Sequence, residues 1–148
     1  RNSAIITEMQ LCYPNQVVDS ECELAKPTGK EKWVIIHSGP ANEVRELVNK
    51  AKNTAIEERI NPVFYLISQV GDIPDEGLIR INLCPVHGYL IFADRIFSAC
   101  GYNMMNQTLN YREKHWFYPF ERKYDDQFWR AHEARKGNKK EGTWGPLF

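Results

Sequence analysis

This sequence of 148 residues lacks a net charge of either sign, because 19 Lys+Arg balance 19 Asp+Glu. That balance weighs against a protein built to ride on phosphate backbones, where Lys and Arg supply most of the non-specific affinity and leave a basic excess. The chain also lacks any apolar run near the roughly 20 residues that a membrane-spanning helix requires. No Cys-x-x-Cys occurs and no two histidines stand at ligand spacing, so nothing has the pattern of a structural zinc site. Internal repeats, low-complexity tracts and a linker long enough to divide the chain are missing too. The length suits one core, and a single domain over residues 1–148 is expected.

What is present is globular in composition, with 43% apolar and 12% aromatic residues. Of the four cysteines, Cys84 and Cys100 lie in apolar runs where a thiol behaves as a small hydrophobe. Cys12 and Cys22 flank the turn Tyr13-Pro14-Asn15, an arrangement open to a bridge across a hairpin or to two free thiols. Residues 112–141 hold nine Lys/Arg against six Asp/Glu, read as a solvated helical face before a nucleic-acid patch. The chain begins at Arg1 rather than Met, which is compatible with an organellar (mitochondrial) protein after presequence removal.

Hydrophobic patterning suggests strands at residues 4–11, 16–24 and 33–36, the last wholly apolar and ended by Ser38-Gly39-Pro40. Val44, Leu47, Val48, Ala51, Ala55 and Ile56 then fall at three- and four-residue steps, which predicts a helix over 42–59. Asn61-Pro62 restarts the chain, and 63–70 reads as a short helix. Strands are expected at 78–83 and 89–97, hinged at Cys84-Pro85-Val86-His87-Gly88, followed by helices over 103–112 and 125–140. The second of these is expected to be capped by Asp125 or Asp126.

The last third runs Gly101-x-x-x-Met105-Asn106-x-x-Leu109, then an aromatic stretch, Ala131-His132-Glu133-Ala134-Arg135, and Gly142-Thr143-Trp144. That order resembles the end of the staphylococcal-nuclease-like (thermonuclease) domain, where a Gly turn ends a barrel strand, a "V-N-x-x-L" helix follows, and "A-E-x-x-A-R" precedes "G-x-W". The resemblance implies an α+β fold, a five-stranded barrel of the oligonucleotide/oligosaccharide-binding (OB) type with helices packed on it. It also implies that Trp144 packs against the helix carrying Ala131 and Arg135.

Phosphodiester cleavage in that family uses calcium held by carboxylates and two arginines, oxygen ligands for the metal and guanidinium donors for the developing charge. Matched onto those motifs, this chain has Asn15 at the metal-binding Asp, Trp33 at the first Arg, Ser38 at the second Asp, Ala41 at the Glu and Tyr89 at the second Arg. Asp19, Glu21 and Glu43 fall out of register with the motif. The catalytic positions are vacated, and no catalytic residue, metal or cofactor is expected. The resemblance thus implies a pseudoenzyme, an SNase-like domain kept as a structural or protein-interaction module and accessory subunit of a larger complex. The alternative is a divergent metal-dependent nuclease or a nucleic-acid-binding domain.

The protein partner would meet exposed rings from the aromatic stretch, with Trp116, Phe117, Tyr118, Phe120 and Trp129 as binding candidates. Nucleic acid is less favoured, since stacking platforms come with a positive groove. His37, His115 and His132 are read as structural rather than catalytic. Asn106-Gln107-Thr108 fits the glycosylation pattern by chance, being expected within a helix.

Overall fold

The computed structural model describes residues 22–136 except 72, 74–76 and 83–85. A 3-10 turn at Glu23–Ala25 precedes β1 (Lys32–Ile36), α1 (Ala41–Glu58), β2 (Val63–Ile67) and β3 (Leu78–Arg80). A 3-10 helix at His87–Phe92 leads into β4 (Arg95–Ala99) and α2 (Tyr102–Gln107). A further 3-10 segment, Leu109–Lys114, leads into β5 (His115–Tyr118), and α3 (Gln127–Lys136) follows. No helix among the described residues is long and apolar enough to cross a membrane.

The five strands form one sheet in the order β3-β2-β1-β4-β5, and every neighbouring pair is parallel. Each pair needs a crossover rather than a hairpin, and α1 makes the one from β1 to β2. Trp33, Ile35, Leu66, Phe97 and Trp116 point to one face and are covered by Val44, Leu47, Val48 and Ala51 of α1. Val34, Ile36, Tyr65, Ile67 and Ile96 point to the other and pack with Leu24, Val86, Tyr89 and Leu90. α1 ends in a Schellman turn: Arg59 adopts left-handed φ 57°, its N–H reaches Ile56 O, and Ile60 N–H reaches Ala55 O.

The chain is therefore an open α/β sheet, and neither the five-stranded OB-type barrel nor the SNase-like family that implied it holds. The physical reason lies in the strands. A strand buried on both faces reads as an unbroken apolar run, as Trp33-Val34-Ile35-Ile36 does, and belongs to parallel sheets covered on both sides. The segment read as a helix at 63–70 is β2 for the same reason. The expected strand over 89–97 divides into the 3-10 helix and β4, broken at Ala93, whose backbone is extended. The aromatic stretch hides β5. Trp33 and Tyr89, which the nuclease-like alignment would bring together, sit in clusters on opposite faces of the sheet. Asn15, Cys12, Cys84, Trp144 and the strand expected at 4–11 lie outside the described residues.

Candidate functional site

The connection from β1 leads outward to β2 and β3, and the chain then returns to place β4 on the other flank of β1. In an open parallel sheet this switch point leaves a crevice at the carboxyl ends of the two strands, because their loops diverge to opposite sides. A cleft of about 530 Å³ lies there. One wall is the turn after β1, His37, Ser38 and Gly39; the other is Gly101, Tyr102 and Asn103, where β4 passes into α2. Arg122 and Gln127, from the loop after β5 and the start of α3, close the cleft. Among the described residues the lining contains Arg122 and no Asp or Glu.

A cluster of side chains braces the β1 wall. Glu43, in the first turn of α1, accepts from Arg122 Nη1 at 2.7 Å and Nη2 at 2.6 Å and is joined to His37 Nε2 at 2.7 Å. Burial acts to raise the Glu43 carboxyl, but the hydrogen bonds from Arg122 and His37 outweigh it and hold its pKa below the ordinary value. The His37 ring stacks on Phe120 at 5.4 Å between centroids. Gly39 has to be Gly: a methyl there would overlap His37 Nε2 and stand 3.0 Å from Glu43 Oε1.

Gln127 fixes the far wall. Buried at the start of α3, its Oε1 accepts from the backbone N–H of Cys100 at 3.2 Å and of Phe120 at 3.0 Å. One side chain thus ties the end of β4 to the loop after β5. Asp126 caps α3 through the N–H of Trp129 at 2.9 Å, as expected of an Asp at that place. Arg130 pairs with Asp125 and also donates to Cys100 O at 2.7 Å. Burial pushes the Cys100 thiol up to about 12, so it stays protonated and inert.

Ser98 and His115 have the look of a nucleophile and base, with Oγ and Nε2 2.6 Å apart, but both are fully buried. Arg112 donates to His115 Nδ1 at 3.1 Å, which leaves the ring proton on Nε2. Nε2 therefore donates to Ser98 Oγ, and the Ser98 hydroxyl in turn donates to Ala99 O at 2.9 Å. The imidazole cannot accept the serine proton. Burial and the Arg112 charge hold the His115 pKa well below 6.5, so the ring is neutral. This network is structural and joins β4 to β5.

Of the positions matched to vacated catalytic residues, Ser38 lines the cleft, Ala41 opens α1, and Trp33 and Tyr89 are buried. Among the ring candidates, Trp116, Phe117 and Phe120 are core residues, Tyr118 is half-buried, and only Trp129 is exposed, at 60%. Sequence reasoning missed Glu43, Arg122 and Gln127 as a group. The available signal was the pair of strand–Gly–helix junctions, Ser38-Gly39-Pro40 and Cys100-Gly101-Tyr102, which gather at one sheet edge once the strands are known to be parallel.

No family model and no curated protein matches the sequence. The fold is similar to that of the glycosyltransferase SnogD from Streptomyces nogalater, with a TM-score of 0.54 and 13% sequence identity. The likeness covers 83% of this chain and 32% of that one, so this chain spans about a third of that protein's length. At such identity it concerns the fold alone. It agrees with the open parallel sheet, and with it the nuclease-like and OB-type descriptions are set aside.

Proposed function

We propose that this chain forms the donor-binding part of a glycosyl-transferring enzyme, taking the phosphate-bearing leaving group of an activated sugar in the cleft between β1 and β4. The observation that carries this reading is the position of the cleft at the switch point of the sheet, with an arginine and no carboxylate among the described residues of its lining. The fold likeness to a glycosyltransferase supports it. In glycosyl transfer an acceptor nucleophile forms a bond to the anomeric carbon as the C–O bond to the phosphate breaks, and the departing oxygen takes the electron pair. Guanidinium, amide and hydroxyl donors from Arg122, Asn103, Gln107 and Ser38 suit that developing negative charge.

Calorimetric titration of the chain with UDP, dTDP, GDP and ADP tests the reading. Saturable binding of at least one of them, in the micromolar to millimolar range, is expected. Absence of heat with all four at millimolar concentration would refute it.

A second reading, a protein-interaction module within a larger assembly, is favoured by one feature. Tyr124, Phe128 and Trp129 stay exposed together on α3 and the loop before it. Stoichiometric co-purification of a partner, lost in Trp129→Ala, would support that reading; a chain that purifies alone would not. The nuclease alternative rested on the barrel and loses its support with it.

A further inference from the structure

Arg122 stands at the meeting point of the cleft and the His37–Glu43 cluster. We propose that Arg122 is the side chain that contacts the anionic group of the ligand, and that Glu43 is the positioning residue that aims it. The inference rests on the reading of the cleft given above and adds to it the group that reads the ligand's charge.

The geometry is specific. Of the five N–H donors of a guanidinium, Arg122 uses two on Glu43 and one on Glu121 O at 2.9 Å. The remaining two have no partner among the described residues, and the side chain is 31% exposed. Glu43 is itself 9% exposed and cannot follow Arg122 into solvent. His37 holds Glu43 Oε1 from the other side, and Gly39 and Phe120 hold His37. The guanidinium plane is thereby fixed by one edge while the other edge is left to donate. A planar fork held in this way suits a phosphate, which it can meet through two parallel N–H···O bonds. A neutral ligand would gain little from it.

The test compares the nucleoside diphosphate that the wild type binds most tightly with its parent nucleoside, by calorimetry, for the wild type, Arg122→Gln, Arg122→Lys and Glu43→Gln. Arg122→Gln is expected to weaken diphosphate binding roughly ten- to a hundredfold, the worth of one or two charge-assisted hydrogen bonds. The nucleoside affinity should be unchanged. Arg122→Lys keeps the charge without the fork and should restore part of the loss. Glu43→Gln should weaken the diphosphate selectively, and by less.

Equal losses for diphosphate and nucleoside in Arg122→Gln, or no loss, would overturn the assignment while leaving the cleft reading intact. Glu43→Gln binding the diphosphate as well as the wild type, or more tightly, would overturn the positioning role. A wild type that binds neither ligand would sink the cleft reading and this inference with it. Thermal melts accompany each variant, and Arg122→Lys carries the comparison if Arg122→Gln unfolds.

Discussion

Glu43 and Arg122 stand 79 positions apart in the chain and meet through two hydrogen bonds, Nη1 to Oε2 at 2.7 Å and Nη2 to Oε1 at 2.6 Å. The contact ties the first turn of α1 to the loop after β5 across one side of the cleft. Its carboxylate is nearly buried and its guanidinium about a third exposed, so its worth falls between that of surface and buried pairs. Glu43→Ala should cost about 1–3 kcal/mol of stability. Chemical denaturation checks this, and a midpoint equal to that of the wild type would show the pair to be ornamental.

Gly39 marks where the turn after β1 passes closest to its own site. Gly39→Ala sets a methyl against His37 Nε2 and 2.9 Å from Cε1, with Glu43 Oε1 just behind. The ring must shift, and it is stacked on Phe120. A loss of about 1–3 kcal/mol is expected, the range for overpacking a close-fitting site. An unaltered melting temperature would mean that the ring moves aside freely.

Gln127→Leu keeps the bulk of the side chain but removes the acceptor shared by the Cys100 and Phe120 amides. Each buried N–H left without a partner costs about 1–3 kcal/mol. Marked destabilisation is expected, with faster hydrogen exchange at those two amides in particular. Uniform protection unchanged from the wild type would contradict the clamp.

The pH dependence of stability follows from His115. In the fold its pKa lies well below 6.5, while the unfolded chain titrates near that value. The unfolded state therefore binds the extra proton, so this contribution is full above about pH 6.5 and is lost as the pH falls toward the folded pKa. Glu43 and Asp125 are lowered from 4.5 and 3.8, so their contributions hold above those values and fade as acid protonates them. Melting temperatures between about pH 7.5 and 5.5 should fall more steeply for the wild type than for His115→Gln. Parallel slopes would contradict a buried neutral imidazole.

The legible part of this fold was α1, where one apolar stripe at helical spacing sits between Pro40 and the Arg59 turn. Strand positions at Trp33–Ile36 and Leu78 were legible too, but strand direction was not. Burial on both faces erases the period of two that marks a half-exposed strand, so at Val63-Phe64-Tyr65-Leu66-Ile67 periodicity was silent and the cue against a helix lay only in the short β-branched and aromatic run after Pro62. The apparent nuclease signature at Gly101 through Leu109 is a strand ending in Gly followed by a helix, which any βα junction supplies. The cleft was illegible for a different reason. His37 and Glu43 lie far along the chain from Arg122 and Gln127, and the two pairs converge only through the sheet order.

The most direct measurement is amide chemical-shift mapping of the labelled chain titrated with a nucleoside diphosphate. The account predicts shifts concentrated at Ser38, Gly39, Gly101, Tyr102, Asn103 and Arg122, saturating together with one affinity. Shifts confined to Tyr124, Phe128 and Trp129 on the exposed face, or none at all, would contradict it.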